Sequence, residues 1–253
     1  MNWRSNVVPV VVAAVAFVLF WKAVVVIGNL PVFILPAPEL VAQRFVTAWV
    51  DGTMWRHASV TLLEITLGFL VGAGLAVAIG YLLARSRLAE RLLSPYIVAS
   101  QATPVLVLAP VLALWLGTGL LPKIVICALI VFFPIVIATM VGIRSVDVRL
   151  LELGRSLRAT PRQMFTQLEL PAALPQILGG MRVGATLAVI GAIVGEWAGA
   201  DRGLGVLINL ARGSLFDFPL MFATLAMIAL IGVVLYLLVT IVERILVGSW
   251  RSS

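Results

Sequence analysis

Few side chains in this 253-residue sequence are of types that catalyse reactions or bind metals. His57 is the only histidine, and Cys127, the only cysteine, lies inside an apolar run. Enzyme sites usually combine a histidine, a cysteine or a cluster of acids, and thiolate or histidine metal sites need several such ligands. The residue types therefore predict no catalytic site, no metal site and no cofactor, and they disfavour an integral-membrane enzyme.

The sequence also lacks the residues that would bind the phosphates of ATP. A P-loop requires a glycine-rich turn that ends in a lysine followed by serine or threonine. The two lysines stand in Trp-Lys22-Ala and Pro-Lys123-Ile, where neither requirement is met. If the protein uses ATP, another chain must hydrolyse it.

Two acids lie within apolar runs. An ionisable side chain at the centre of a membrane helix costs at least about 2.5–3.5 kcal/mol, so it usually faces protein or water. Glu196 has two readings of equal weight, a structural ion pair with a partner such as Arg202 and a place in a solute pathway. For Glu64 the structural reading leads.

A third group of polar candidates surrounds a proline in the apolar run 92–116. Pro104 and Pro110 each remove a backbone hydrogen bond, so a helix here should be kinked or broken. Gln101 and Thr103 stand beside Pro104. They are candidates for a pathway lining, with hydrogen bonding between helices as the alternative.

The elements that position these residues are membrane helices. The chain is 62% hydrophobic and 11% charged, whereas a soluble domain has about 25% charged residues. A membrane helix needs roughly 20 mainly apolar residues, and the first such run is predicted to be a retained span and not a signal peptide. The fold class is therefore all-α integral membrane, and six spans are predicted: Val7–Gly28, Val60–Ala84, Leu92–Leu116, Leu121–Ile143, Ile177–Ala198 and Leu220–Val247.

The net charge of +7 follows membrane topology and does not indicate nucleic-acid binding. Cytoplasmic loops of membrane proteins carry an excess of basic residues. One side collects twelve: Arg4, Arg85, Arg87, Arg91, Arg144, Arg149, Arg155, Arg158, Arg162, Arg182, Arg244 and Arg251. The other side collects five: Arg44, Arg56, Lys123, Arg202 and Arg212. Both termini are therefore predicted to be cytoplasmic.

The gap 144–182 is much longer than the other inner gaps. Leu150, Leu153, Gly154 and Leu157 recur at helical spacing and predict a short helix with an apolar or small face. Thr160-Pro-Arg-Gln163 predicts the start of a second helix, with a capping box and proline at the first helical position, which continues to Pro171. The loop is either a structured connector on the membrane surface or a docking element for a cytosolic partner.

Here the sequence resembles a known family. Glu152-Leu-Gly-Arg-Ser-Leu-Arg-Ala-Thr160, then Leu170-Pro171-Ala-Ala-Leu-Pro175 and a Gly180-Met-Arg182 ending, resemble the EAA loop of type I ABC importer permeases. Arg158 stands where that family has glycine, and Leu153 and Gly154 stand where it has small residues.

The resemblance covers roughly residues 55–245. Thr61-Leu-x-Glu64, the Pro104 and Ala109-Pro110 region, and Gly195-Glu-Trp197 with Gly203-Leu-Gly205 are similar to the nitrate, sulfonate and taurine branch. Permeases for thiamine-precursor pyrimidines and riboflavin are similar too, so the solute cannot be read from the sequence. The division expected is 1–57, the first span with an outer connection, and 58–247, the transmembrane core.

The resemblance implies an importer subunit with no enzymatic activity of its own. Two permease copies would pair in the bacterial inner membrane, with ABC ATPases at the inner face and a solute-binding protein at the outer face. The alternative is a secondary transporter or channel that needs no ATPase. The residues implied to contact the ATPase are Glu152, Leu153, Gly154, Arg155, Ser156, Leu157, Arg158, Ala159 and Thr160.

Overall fold

The computed structural model describes the backbone of residues 3–102 and 105–251, and their side chains except those of 3–7, 94, 98, 100–102, 106 and 249–251. All secondary-structure elements of the described part are helices, joined by turns and short connections. Its helices are α1 (Trp3–Ile27), α2 (Pro38–Val50), α3 (Thr53–Arg85), α4 (Arg87–Ala102), α5 (Val105–Leu116), α6 (Leu120–Arg144), α7 (Val148–Ser156), α8 (Pro161–Gln163), α9 (Leu170–Trp197), α10 (Leu204–Gly213) and α11 (Phe218–Arg251), with a π-helical turn at Met164–Glu169 between α8 and α9.

Five of the described helices are long and apolar enough to cross a membrane: Val8–Ile27, Thr53–Arg85, Leu120–Arg144, Pro161–Trp197 and Phe218–Gly248. The region predicted as a third span, 92–116, forms two shorter helices, α4 and α5. Thr103 and Pro104 lie between them, outside the described residues, and of Gln101 only the backbone, in α4, is described.

The centre of the molecule is a trio of helices in which α6 packs against both α3 and α9. Small residues allow this close approach, as they do between membrane helices generally. A Cβ at Gly72 of α3 would lie 2.6 Å from the carbonyl oxygen of Ala128, and one at Gly191 of α9 would lie 2.8 Å from the Cα of Cys127. The backbones of α3 and α9 therefore both approach α6 closely, at the neighbouring residues Cys127 and Ala128.

Outside this trio, α11 covers α9, and α2 and α10 pack on α11 at one end. Helix α1 is almost wholly exposed, and its contact with the body includes Trp21 against Phe222, with ring centroids 6.2 Å apart. Both α2 and α10 are short helices that lie in gaps between the predicted spans. The sequence analysis had therefore treated these two regions as connections.

One predicted boundary was wrong. The second short helix was expected to end at Pro171, but the helical path runs without a break from Pro161 to Trp197. Pro171 lies in the first turn of α9, after the π-helical turn. The residue therefore stands within a continuous helical path, next to a π-helical turn, a kind of irregularity that commonly accompanies a bend in a helix.

Candidate functional site

The loop 144–182 contains a short helix that is capped at both ends. The side chain of Asp147 accepts a hydrogen bond from the amide of Arg149 and begins α7. At the other end, the amide of Arg158 donates to the carbonyl of Arg155 (3.0 Å), and the amide of Ala159 donates to Gly154 (2.9 Å). These two bonds form the Schellman motif that commonly ends a helix.

Arg158 occupies the left-handed position of this motif, with φ of +54°. Glycine usually stands at this position because other residues pay a steric cost there. The family pattern has glycine at the same place, so the substitution leaves the turn's hydrogen bonding intact and changes its conformational cost.

The turn leads into the second helix through the predicted capping box. The amide of Gln163 donates to Thr160 Oγ1 (3.3 Å), and the amide of Thr160 donates to Gln163 Oε1 (2.8 Å). Gly154 faces this helix, and a Cβ there would lie 2.5 Å from Met164 Sδ and 2.7 Å from Leu168 Cδ1. Helix α7 therefore packs on the π-helical turn through its glycine.

Beside this glycine contact, α7 exposes large apolar residues. Leu153 is 55% exposed and Leu157 is 74% exposed, and Val148 and Leu150 are exposed as well. Glu152, Arg155, Ser156, Arg158 and Thr160 are also exposed, and Ala159 is half-buried. The nine predicted coupling residues thus lie on one compact helix-turn unit.

A buried acid ties this unit to the end of α3. Glu169, the last residue of the π-helical turn, is almost fully buried and lies 3.2 Å from the guanidinium of Arg85. Tyr81 donates a long hydrogen bond of 3.4 Å to Glu169, and its ring meets Phe165 edge-on with centroids 4.7 Å apart. We name Glu169, Arg85, Tyr81 and Phe165 the inner clasp.

A second ionic contact joins α6 to α4. Arg144 donates to both carboxylate oxygens of Glu90 at 2.7 Å and to the carbonyl oxygen of Leu83 at 2.9 Å. The hydrogen bonds from Arg144 lower the pKa of Glu90 below its ordinary value. The beginning of α4 is therefore attached to the ends of both α3 and α6.

The far ends of α3 and α9 are joined by Glu196, which is 1% exposed. Its carboxylate accepts hydrogen bonds from the hydroxyl of Thr61 and from the amide of Gly205, both at 2.5 Å. Thr61 in turn accepts from the amide of Leu204 (2.8 Å). Among the described contacts, these partners of Glu196 come from α3 and α10, and Arg202 is exposed.

His57, one turn before Thr61 on α3, contacts the same segment at Gly203. Its Nδ1 lies 2.8 Å from the carbonyl oxygen and 3.2 Å from the amide nitrogen of Gly203. Gly203 has φ of +136°, and a Cβ there would collide with the carboxylate of Glu196. Only glycine fits this position, which explains the first glycine of Gly203-Leu-Gly205.

Glu64 and Lys123 form a buried ion pair beside this cluster. Lys123 Nζ lies 3.1 Å from Glu64 Oε1, and the two side chains are 8% and 0% exposed. Neither oxygen of Glu64 receives a hydrogen bond of regular geometry from the described residues. The pair lines a cavity of about 380 Å³ together with Val60, Thr118, Gly119, Leu120, Asp201 and Arg202.

Sequence reasoning missed His57, Thr61 and Lys123 as members of this cluster. One signal was present, because His57, Thr61 and Glu64 recur at i, i+4 and i+7, the spacing of one helix face. Lys123 had been counted as a residue of a gap, whereas it lies in the first turn of α6. Its pairing with Glu64 depends on how α3 and α6 pack.

Comparison with known proteins identifies the family of the chain. Residues 68–251 match the family described as binding-protein-dependent transport system inner membrane component. The chain is 44% identical over 252 residues to the riboflavin transport system permease protein RibX of Chloroflexus aurantiacus, covering all of this chain and 92% of that protein. It is 35% identical to the formylaminopyrimidine transport permease protein ThiX of Halalkalibacterium halodurans, covering 87% of each.

The taurine transport system permease protein TauC of Escherichia coli is 28% identical, over 96% of this chain and 92% of its own. Among solved structures, an inward-facing MetNI methionine ABC transporter chain has a TM-score of 0.67 at 20% identity, covering 78% of this chain and 98% of that chain. The fold is thus shared with an ABC importer. The chain belongs to the family of binding-protein-dependent transport system inner membrane components, and it is a permease subunit whose ATP is hydrolysed by a separate chain.

Proposed function

We propose that the loop 144–182 docks the ATPase through α7 and the turn that follows it. The observation that carries this proposal is the exposed apolar face of α7. The helix is capped at both ends, and the turn after it leads directly into the capping box of α8. Exposed charge pairs contribute only about 0–1 kcal/mol each. Contact through Leu153 and Leu157 therefore dominates the docking energy, and Glu152, Arg155 and Arg158 add orientation.

We also propose that the chain crosses the membrane six times. Helices α4 and α5 together supply the third crossing. With six crossings, the basic excess at Arg85–Arg91 and Arg144–Arg182 places both termini in the cytoplasm. Residues 1–57 then form a peripheral first span with α2, and residues 58–247 form the core.

Gln101, Thr103, Pro104 and Glu196 remain the proposed pathway residues. A proline such as Pro104 within an apolar run removes a backbone hydrogen bond, and unpaired backbone groups at membrane depth are tolerated only against protein or a water-filled cavity. Glu196 would act by holding the outer segment 198–205 in place, since its oxygens are engaged by Thr61 and Gly205.

Two copies of this chain, two ATPases and a binding protein make up the proposed importer in a bacterial inner membrane. The solute is delivered from outside and is small. Riboflavin and formylaminopyrimidine, which the names of two relatives carry, are the first solutes to test.

Co-purification with the ATPase tests the docking face. Leu153→Asp with Leu157→Asp should abolish capture of the ATPase, because two charges would be buried in the contact, and Glu152→Ala should weaken it. Gln167→Asp, an exposed change on the π-helical turn away from this face, is the matched control. Wild-type capture by the double variant would contradict the docking surface. Solute uptake by this chain alone in proteoliposomes would contradict the ATP-driven mechanism.

A further inference from the structure

Two buried acids, Glu64 of α3 and Glu196 of α9, lie against each other where these helices are joined. Their side chains are almost completely buried and are in hydrogen-bonding contact. An ionised carboxylate only accepts hydrogen bonds, whereas a protonated carboxyl group can donate one. The contact between the two acids is therefore a hydrogen bond only if one of them carries a proton.

The charge of the site also favours a proton. Lys123 of α6 is the buried cation beside the two acids, with its Nζ 3.1 Å from Glu64 Oε1. If Glu64 and Glu196 were both ionised, the three groups would carry a net charge of −1 away from water, and the two carboxylates would repel each other in a poorly screened site. One proton held between the acids makes the three groups neutral.

The other titratable groups around the acids do not alter this balance. Asp201 and Arg202, which line the adjacent cavity, are exposed and carry opposite charges. His57 of α3 is engaged with the backbone of the segment 198–205. Cys127 of α6 directs its thiol to a backbone carbonyl of α9. Lys123 therefore remains the group that balances the charge of the acids.

The hydrogen bonds of Glu196 indicate which acid holds the proton. One oxygen of Glu196 accepts from the hydroxyl of Thr61 and the other from the amide of Gly205, both at 2.5 Å. Hydrogen bonds of this kind are strongest when the acceptor is ionised. Within the described residues, neither oxygen of Glu64 accepts a hydrogen bond of regular geometry. Glu64 is thus the donor of the pair, and Glu196 is the acceptor.

We propose that Glu64 binds a proton and donates it in a hydrogen bond to Glu196, so that Glu64, Glu196 and Lys123 form a proton-binding latch between α3, α6 and α9. Because Glu196 also holds the amide of Gly205, the proton stabilises the segment 198–205. The latch is a property of the chain itself and goes beyond the proposed transport function. Its tests need neither an ATPase nor a solute.

Infrared spectroscopy of the full-length chain detects the proton, because a protonated carboxyl group and a carboxylate absorb at different frequencies. In an ester-free detergent at neutral pH, the wild type should show a protonated-acid band that Glu64→Gln lacks. Glu196→Gln should also lack it, because Glu64 then faces Lys123 alone and ionises. Glu169→Gln, which replaces a buried acid paired with Arg85, is the control and should keep the band. Absence of the band from the wild type, or its persistence in Glu196→Gln, would overturn the proposal.

Thermal stability separates the roles of the two acids. A glutamine at position 64 still donates an N–H to Glu196 and presents a carbonyl oxygen to Lys123, so Glu64→Gln should keep the wild-type Tm. A glutamine at position 196 has one acceptor oxygen for two donors, Thr61 and Gly205, so Glu196→Gln should lower Tm by about 5 °C. An equal or larger loss of Tm in Glu64→Gln would overturn the assignment of the proton to Glu64.

Hydrogen exchange tests the link between the proton and the segment 198–205. The folded chain binds a proton that the unfolded chain releases, so the stability of the latch falls as the pH rises. At neutral pH the amides of this segment should exchange equally fast in the wild type and in Glu64→Gln. At alkaline pH they should exchange about tenfold faster in the wild type, because the amide at position 64 cannot ionise. Equal rates in both proteins up to the highest pH at which they stay folded would overturn the latch.

Discussion

At the scale of single residues, Arg158 adopts a backbone conformation that is strained for arginine but not for glycine. Its φ of +54° lies in the left-handed region, which costs an L-residue roughly 1–2 kcal/mol. We therefore expect Arg158→Gly to raise the Tm of the purified complex and to leave ATP-driven uptake unchanged. Arg158→Ala is the control, because it removes the charge but keeps the cost. If uptake falls in both variants, the guanidinium itself takes part in docking.

Glu90 gives a pH-dependent prediction. Hydrogen bonds from Arg144 lower its pKa in the folded protein, so the pair stabilises the fold above the unfolded pKa of about 4.3. That contribution is lost as the pH falls through the lower, folded pKa. Glu90→Gln should therefore reduce Tm at neutral pH and approach the wild type in acid. A Tm difference that stays constant from neutral pH down to acid would mean that the substitution acts through packing.

At the scale of elements, the inner clasp connects α7 and its turn, the proposed docking unit, to α3. Gly154 contacts Met164 and Leu168, and Glu169 of the same π-helical turn pairs with Arg85, so we expect a displacement of α7 to reach α3 by this route. We expect Glu169→Gln to retain ATPase capture and ATP hydrolysis while solute uptake per ATP falls several-fold. The measurement is the ratio of uptake to ATP hydrolysis in proteoliposomes.

The matched control for the inner clasp is Glu243→Gln. It removes an ion pair of similar length, 3.1 Å, between α9 and α11, and this pair has no contact with the π-helical turn. If Glu243→Gln and Glu169→Gln lower the ratio equally, the effect is a general loss of helix packing and the inner clasp has no special part in coupling.

Sequence patterns located elements that are specified locally. The spacing of Leu150, Leu153 and Leu157 predicted α7, and the capping box at Thr160 predicted the next helix start, because both depend on residues within one or two turns. The π-helical turn was missed because one extra residue per turn leaves no periodic signature. Pro171 was predicted to end a helix, but the helical path continues through it. The sequence pattern does not reveal the π-helical turn that precedes this proline.

Contacts between elements were beyond sequence reasoning. One of the two readings of Glu196 paired it with a cation such as Arg202, but its described hydrogen-bond partners are a hydroxyl and an amide. Lys123 and Glu64 lie on different helices, 59 positions apart in the numbering, and nothing local indicates that Gly195 leaves space for the lysine. The chemistry of both acids is therefore set by tertiary packing.

At the scale of the whole molecule, close packing restricts where a solute can pass. The backbones of α3 and α9 touch α6 at Gly72 and Gly191, so no solute can move between these helices. The two ends of α3 and α9 are held by Glu196 and by the inner clasp. We therefore expect passage to occur on the outer surface of this trio, where the proposed second copy of the chain would supply the opposite wall.

If two copies of this chain are needed for transport, both copies should be recovered together in one active complex. Chains with two different affinity tags, expressed together with the ATPase and purified through both tags in succession, should yield an active complex. When one tagged chain also carries Leu153→Asp and Leu157→Asp, doubly purified complexes contain one intact and one defective docking surface. Their ATP-driven uptake should fall well below half of the wild-type value, because both ATPases must engage for the pathway to open. Failure to recover both tags in one complex would show that a single copy, or a different partner chain, completes the pathway.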